Sequence, residues 1–394
     1  MATKQMQFPA WPHYAEDEIE AATAVLRSGR VNAWTGPDVA AFEQEYAAYC
    51  GVSHAVALAN GTLALEAGLV GLGLQPGDEV IVTCRTFIAS AAAIVLRGGV
   101  PVFADVDLET QNVDPESVAT LIGPRTVGVV AVHLAGWPCD MDALGELAGQ
   151  HGLWILEDCA QAHGAKWRGR PVGSFGNAAA FSFCQDKILS TGGEGGMLLT
   201  DDEQVYRRAW SFKDHGKDQD LMDKAKVSSS VGCQWVHASV GSNWRMTGPQ
   251  AAIGRLQLGK LEQWCERRNR HAQILLQALQ AIPALRIPEP PPHVTHAYYK
   301  FYAFVRPEAM REDARDGMIR ASWDKGLPVS AGTCSEIYLE GAFASAGLGP
   351  DQRLPRARKL GETSLMLPVH PTLEEEHVRF LGESLAQLAQ EFSD

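Results

Sequence analysis

The sequence predicts an α/β protein: a mostly parallel central sheet covered by helices, followed by a smaller α+β domain at the carboxyl end. Three observations lead there. Short apolar runs rich in β-branched residues recur between residues 79 and 183, and stretches of helical periodicity separate them. The runs are apolar on both faces, as parallel strands are when helices cover both sides of a sheet. Beyond a proline-rich stretch, Ile287 to Pro292, a second strand-and-helix pattern begins.

In chain order, the strand-like runs are Glu79 to Thr83, Pro101 to Asp105, Val127 to His133, Leu153 to Asp158 and Ala179 to Phe183. Several carry polar or charged residues at their carboxyl ends, where open α/β sheets place their ligands. Upstream, Leu58-Ala-Asn-Gly-Thr62 reads as a strand turning into a helix. From Gly216 to Gly241 the sequence is polar and aperiodic, which predicts a long loop. Thr247-Gly-Pro-Gln250 has the form of a capping box opening a long helix that ends near Pro283, with Leu261, Leu275 and Leu279 on its apolar face. A strand over Tyr298 to Val305 follows, and a terminal helix capped at Thr372-Leu-Glu-Glu375 closes the chain. The expected division is a large domain over residues 1–250 and a small one over 251–394, entered through the long helix.

At 394 residues the chain can bury a sizeable core, and its net charge of -13 disfavours nucleic acid or an anionic membrane as partner. The start, Met1 to Gln5, has no apolar signal core, and the most apolar stretch, Phe87 to Leu96, is too short to span a bilayer. Eight cysteines show no C-x-x-C pair, and no histidine spacing suggests a metal site. A cytoplasmic protein with reduced thiols is the expectation.

The chemistry concentrates in four segments. In Phe181-Ser-Phe-Cys-Gln-Asp-Lys187, continuing to Gly196, one lysine stands between an apolar strand and a glycine-dense turn. A lysine held against desolvating walls loses proton affinity and can form an imine with an aldehyde; a solvated lysine before a β-turn has the same local sequence. Leu156-Glu-Asp-Cys-Ala-Gln-Ala-His163 ends a strand on Asp158, with Gln161 and His163 on the following loop. Such a carboxylate can keep a pyridine nitrogen protonated, or it can cap a helix. Gly61 and Thr62 open a helix whose first amides suit a phosphate, and Ser182 stands five residues before the lysine. Phe87, after the strand from Glu79, can stack on a flat ring or join the core. Finally, Gly241-Ser-Asn-Trp-Arg-Met-Thr247 sets Asn243 and Arg245 among apolar residues, as at a subunit interface or in a turn with an ion pair.

Together, Asn60-Gly-Thr62, Thr86-Phe87, Glu157-Asp158 with Gln161-Ala-His163, Ser182 with Lys187 and Gly192 to Gly196, and Ser242-Asn-Trp-Arg-Met246 resemble the DegT/DnrJ/EryC1/StrS sugar aminotransferases. These belong to fold type I of the pyridoxal-phosphate enzymes. The resemblance covers nearly the whole chain. It implies pyridoxal 5'-phosphate as cofactor, carried by Lys187 as an imine, with Lys187 also moving the proton at the amino-bearing carbon. Asp158 then faces the ring nitrogen, Gln161 the ring oxygen, Phe87 the ring face, and Gly61, Thr62 and Ser182 the phosphate. It implies a homodimer with shared active sites, Asn243 reaching the phosphate in the neighbouring subunit. His163, Arg245 and His215 are further candidates for substrate or supporting contacts. The implied reaction moves an amino group from glutamate or glutamine to a keto sugar, commonly one attached to a nucleotide diphosphate.

Cys184-Gln-Asp186 departs from the small or basic residues that many relatives carry before the lysine, which leaves the acceptor open. Phe8-Pro-Ala-Trp-Pro12 is similar to the branch that makes aminohydroxybenzoate, and cyclitol amination is a further alternative. Outside enzymes, a sugar-sensing regulator could keep the fold, although it has no need for Lys187, Asp158 and Gln161 together. A nucleotide-sugar oxidoreductase would need a G-x-G-x-x-G after its first strand, which this sequence lacks.

Overall fold

The computed structural model describes residues 6–228 and 235–393. Met1 to Gln5, named above, and Cys233, one of the eight cysteines, lie outside the described residues. The central sheet has seven strands: β1 His54–Leu58, β2 Glu79–Thr83, β3 Val100–Ala104, β4 Thr126–Val132, β5 Trp154–Asp158, β6 Ala178–Ser182 and β7 Gly196–Thr200. Their order is β1-β7-β6-β5-β4-β2-β3. The neighbours from β3 through β2, β4 and β5 to β6 run parallel, and β7 is antiparallel to both β6 and β1. The sheet is therefore mostly parallel.

Val80, Val82, Val130, Val132, Leu156 and Leu198 are buried in one core cluster, and Ile81, Val129 and Ile155 in another. Both faces of the sheet are thus covered, which is why its strands read as continuous apolar runs. Each such side chain contributes about 1.5–3 kcal/mol. Parallel strands point their carboxyl ends the same way, so Asp158 at the end of β5 and Ser182 at the end of β6 come to one edge.

A three-stranded antiparallel sheet follows, β8 Leu285–Arg286, β9 Phe301–Val305 and β10 Ser364–Leu367, in the order β8-β9-β10. Helices Ala314–Asp324 and Glu375–Glu391 bury Met318, Val378, Leu381 and Leu385 in the core that this sheet shares, and Phe8 from the start of the chain packs on it. Helix Gly248–Leu279 lies between the two sheets in sequence, and the Gln250 amide oxygen accepts the Thr247 N–H at 3.0 Å. Among the described residues no helix is long and apolar enough to cross a membrane.

Three expectations need correction. The predicted loop from Gly216 to Gly241 contains a helix, Gln219–Ser228, whose start is held by the Leu221 N–H on Asp218 at 2.9 Å and by burial of Met222. The terminal helix is capped by Glu374, not Thr372; the Thr372 hydroxyl instead donates to the Ala10 carbonyl at 3.0 Å and tethers the amino-terminal segment. The strand expected from Tyr298 begins at Phe301, because Tyr298 sits at φ 45° and breaks the extended run. Tyr299 and Lys300 are thereby released from the sheet.

Candidate active site

A cavity of about 960 Å³ opens at the carboxyl edge of the central sheet. It is lined by Gly61, Thr62, Phe87, Asp158, Gln161, Ser182 and Lys187, with the small-sheet half of the chain supplying Tyr299, Lys300 and Thr333 on another wall.

Lys187 rides on the loop joining β6 to β7. The loop closes on itself through the Phe183 N–H on the Gly195 carbonyl at 2.8 Å and the Thr191 N–H on the Phe183 carbonyl at 3.1 Å. Gly192 and Gly193 take positive φ, 80° and 111°, which favours glycine there. From outside, the Trp11 indole N–H donates to the Lys187 carbonyl at 2.8 Å, Tyr14 meets Ser190 at 3.0 Å, and the Gln257 amide accepts the Ser190 N–H at 2.8 Å. The lysine backbone is thus pinned by the amino-terminal segment and the long helix. Its Nζ lies 3.2 Å from Asp186 and 5.0 Å from the centre of the Tyr299 ring. Tyr299 donates its hydroxyl to the other oxygen of Asp186. Burial pushes the Asp186 carboxyl up, but Lys187 and the Tyr299 hydroxyl outweigh it, so the group sits below the ordinary range.

Asp158 is 5% exposed. Its Oδ2 accepts the Ser90 hydroxyl at 2.7 Å and its Oδ1 the Ala160 N–H at 3.1 Å, while Ser90 in turn meets Thr86 at 2.9 Å. Burial raises this carboxyl above its usual value, with the two hydrogen bonds and Lys187 opposing. Among the described residues no lysine, arginine or histidine forms an ion pair with it. Gln161 spends its amide oxygen on the Ala135 N–H at 2.8 Å, so its NH₂ is what it can offer the cavity.

Helix Gly61–Leu72 begins at Asn60, whose side chain accepts the Leu63 N–H at 2.9 Å. Gly61 is required by proximity: a Cβ there would fall 2.5 Å from Ser182 Cβ. The first amides of the helix, Thr62 and Ser182 are therefore drawn into one polar corner, a ready anion site. Phe87 is 66% exposed on the cavity wall, so it is not a core residue in this chain.

The remaining candidates lie elsewhere. His163 is fully buried and does not line this cavity: its ring bonds the Tyr46 hydroxyl at 2.7 Å and the Ser182 carbonyl at 2.8 Å. Burial holds it down to about 4, the Ser182 bond opposing, so it is a neutral prop for Ser182 rather than a substrate contact. Arg245 is committed to Asp214 at 2.7 Å, and His215 is exposed with φ 60°. Neither lines the cavity. Asn243 is exposed and also stands apart from the cavity of its own chain.

Glu157, next to Asp158, faces the other way. It accepts N–H groups of Gly173, Phe175 and Gly176 at 2.7–2.8 Å and meets His133 at 2.9 Å. His133, Glu157 and Cys159 bring their potential ligand atoms within 4.8 Å of one another, but the Glu157 oxygens are occupied by these four bonds. This anchor fixes the segment following β5.

Sequence reasoning did not find Tyr299 and Lys300 because the apolar run to Val305 hides the break at Tyr298; the polar Lys300 within that run was the available signal.

The cavity thus brings together, at one edge of such a sheet, a lysine and a buried carboxylate that forms no ion pair among the described residues. The profile of the DegT/DnrJ/EryC1/StrS aminotransferase family matches residues 12–386. The chain is 37% identical over 358 residues to dTDP-3-amino-3,4,6-trideoxy-alpha-D-glucose transaminase of Streptomyces venezuelae, covering 91% of this chain and 88% of the relative. It is 35% identical to 3-amino-5-hydroxybenzoate synthase of Amycolatopsis mediterranei, over 89% and 87% of the two chains. The crystal structure of an aminotransferase from Psychrobacter cryohalolentis superposes with a TM-score of 0.95 at 46% identity, covering 98% of this chain and all of that one. The chain belongs to the DegT/DnrJ/EryC1/StrS aminotransferase family. It is a pyridoxal-phosphate-dependent transaminase.

Proposed function

We propose that the enzyme transfers an amino group from glutamate or glutamine to a keto sugar carried on a nucleotide diphosphate, and that Lys187 is the residue to which the cofactor is joined. The observation that carries the site assignment is Asp158: a buried carboxylate with two neutral hydrogen-bond donors and, among the described residues, no ion pair, in the same cavity as Lys187. A buried carboxylate without a paired cation is costly, and the ring nitrogen of pyridoxal phosphate, held as its conjugate acid, would supply that pairing charge. The residues present fit the cofactor in kind. Thr62, Ser182 and the amides at the start of helix Gly61–Leu72 would hold its phosphate, Gln161 Nε2 would donate to the ring oxygen, and Phe87 would cover the ring.

When bound, the cofactor offers an electrophilic carbon and a cationic ring that draws electrons from the amino-bearing carbon. The chain's own residues do the rest. Lys187 Nζ would provide the amine that joins the cofactor and, as a free amine, would take and return a proton at the amino-bearing carbon. Asp158 would hold the ring nitrogen as its conjugate acid. Ser90 and the Ala160 N–H orient Asp158, and the loop bonds to Trp11 and Gln257 keep the lysine from wandering.

The acceptor class follows the dTDP-sugar transaminase among the relatives. A second acceptor reading, an aminohydroxybenzoate-type keto substrate, is supported by the 35% identity to that synthase. We further propose a homodimer in which Asn243 serves the partner's phosphate corner; its exposure and distance from its own cavity support this. The described cysteines are all unbridged, which suits a reducing cytoplasm. The test is a screen with glutamate against nucleotide-linked keto sugars, scored by product mass. Amino-sugar formation from one of them is expected; amination of aminohydroxybenzoate precursors alone would overturn the sugar assignment.

A further inference from the structure

Among the described residues, Lys300 is the one lysine besides Lys187 that lines the cavity. Its ammonium lies over the face of Tyr299, 5.0 Å from Nζ to the ring centre, the same ring that Lys187 approaches at 5.0 Å. Among the described residues it has neither a hydrogen bond nor an ion pair. Behind it stands Arg268 of the long helix, 1% exposed. That guanidinium donates Nη1 to the Tyr298 and Tyr299 carbonyls at 3.3 and 3.2 Å and lies 5.3 Å from the Trp11 ring, while Nε and Nη2 are buried without a partner. It too has no carboxylate among the described residues. A buried cation normally has its counter-charge, so buried Arg268 beside half-buried Lys300, which faces the open cavity, marks a place for an anion that arrives from outside.

We propose that Lys300, backed by Arg268, binds an anionic group of the substrate: the carboxylate of the amino donor or the diphosphate of a nucleotide-linked acceptor. The inference rests on the amino-transfer reading above and assigns a residue that the sequence reading did not single out. The polar corner of Thr62 and Ser182 is formed by other elements, so this site is additional to the one suited to the cofactor phosphate.

The surrounding charges make the site responsive to pH. Lys300 is pushed down to about 8, by burial first and then by Arg268 and Lys187, with Asp186 opposing. His370, also nearby, is held neutral at about 3 by burial and by Arg268 and Lys300, and Tyr299 is kept protonated well above its usual value by burial and Asp186. Lys300 is therefore the neighbour whose charge changes around pH 8. An arriving anion binds the protonated amine, so a free site that is half deprotonated at pH 8 must take up about half a proton on binding. Affinity should be flat below about pH 7 and fall about tenfold per pH unit well above 8.

Calorimetry on the holoenzyme in buffers of different ionisation enthalpy reads this uptake directly, with 2-oxoglutarate and thymidine diphosphate as separate probes. Wild type should take up about half a proton at pH 8 with one of them, and that probe identifies the source of the anion. Lys300→Met should bind the same probe about ten- to a hundredfold more weakly and take up no proton. Lys300→Arg, permanently charged, should bind without uptake and without the decline above pH 8. Unchanged affinity and uptake for both probes in Lys300→Met would overturn the proposal. So would a wild type that binds neither probe yet still forms product by mass, a result that leaves the amino-transfer reading standing.

Discussion

Replacing Asp158 by Asn separates charge from shape at the centre of the site. The amide keeps the volume and an oxygen for the Ala160 N–H, and its NH₂ can donate to Ser90, which can turn its own proton to Thr86. The fold should hold. What is lost is the negative charge of a carboxylate that is 5% exposed and that, in the proposed site, would face the cofactor's ring nitrogen. Two unit charges about 4 Å apart, at an effective dielectric of about 20, interact by about 4 kcal/mol. If that energy is what keeps the ring protonated during proton removal, the rate falls by about a thousandfold. The assay is the half-reaction with glutamate alone, followed by the change in cofactor absorbance, with cofactor content and thermal melting measured on the same sample. Retained cofactor, a melting temperature near wild type and a rate about three powers of ten lower are expected. A correctly folded, cofactor-loaded variant within tenfold of wild type would refute the assignment of Asp158 to the ring nitrogen.

Other outcomes follow from neighbouring residues. His163 is held neutral in the fold at about 4 against an ordinary 6.5, so its contribution is complete above pH 6.5 and is lost as pH falls towards 4. At about 1.4 kcal/mol per pH unit this is about 3 kcal/mol, and urea midpoints between pH 4.5 and 7.5 should show a shallower acid-side decline for His163→Gln than for wild type. Gly61→Ala should push the helix start away from Ser182, costing about 1–3 kcal/mol in stability and weakening cofactor retention on dialysis; unchanged retention would deny that corner a phosphate. Lys187→Ala and Asn243→Ala chains, each impaired alone, should regain activity when dissociated and reassembled together, because about a quarter of all sites would then have both wild-type residues. A mixture no better than the mean of its parents would confine Asn243 to a turn.

The sheet was legible because each strand is a short apolar run between turn signals, and the helix starts at Asn60 and Thr247 because cap chemistry is local. The gathering of Gly61, Thr62, Phe87, Asp158, Gln161, Ser182 and Lys187 around one cavity follows from the same logic: parallel strands deliver their carboxyl ends to one edge. What was not legible depends on tertiary contact. His163 reads as a loop histidine until Tyr46, 117 positions away, is seen on its ring. The pairing of Arg245 with Asp214 is equally remote from local pattern. A backbone break at Tyr298 turned two residues of an apparent strand into cavity lining, and the polar stretch after Gly216 concealed a short helix because few of its side chains are apolar.

Among the described residues two amines line the cavity, Lys187 and Lys300, and the proposed chemistry turns on which of them carries the cofactor. Borohydride reduction of the holoenzyme followed by peptide mapping distinguishes them, because it fixes the cofactor to whichever side chain holds it. The label should be found on the peptide containing Lys187 and should disappear in Lys187→Ala while remaining in Lys300→Met. A label on Lys300, or one that survives in Lys187→Ala, would contradict the account.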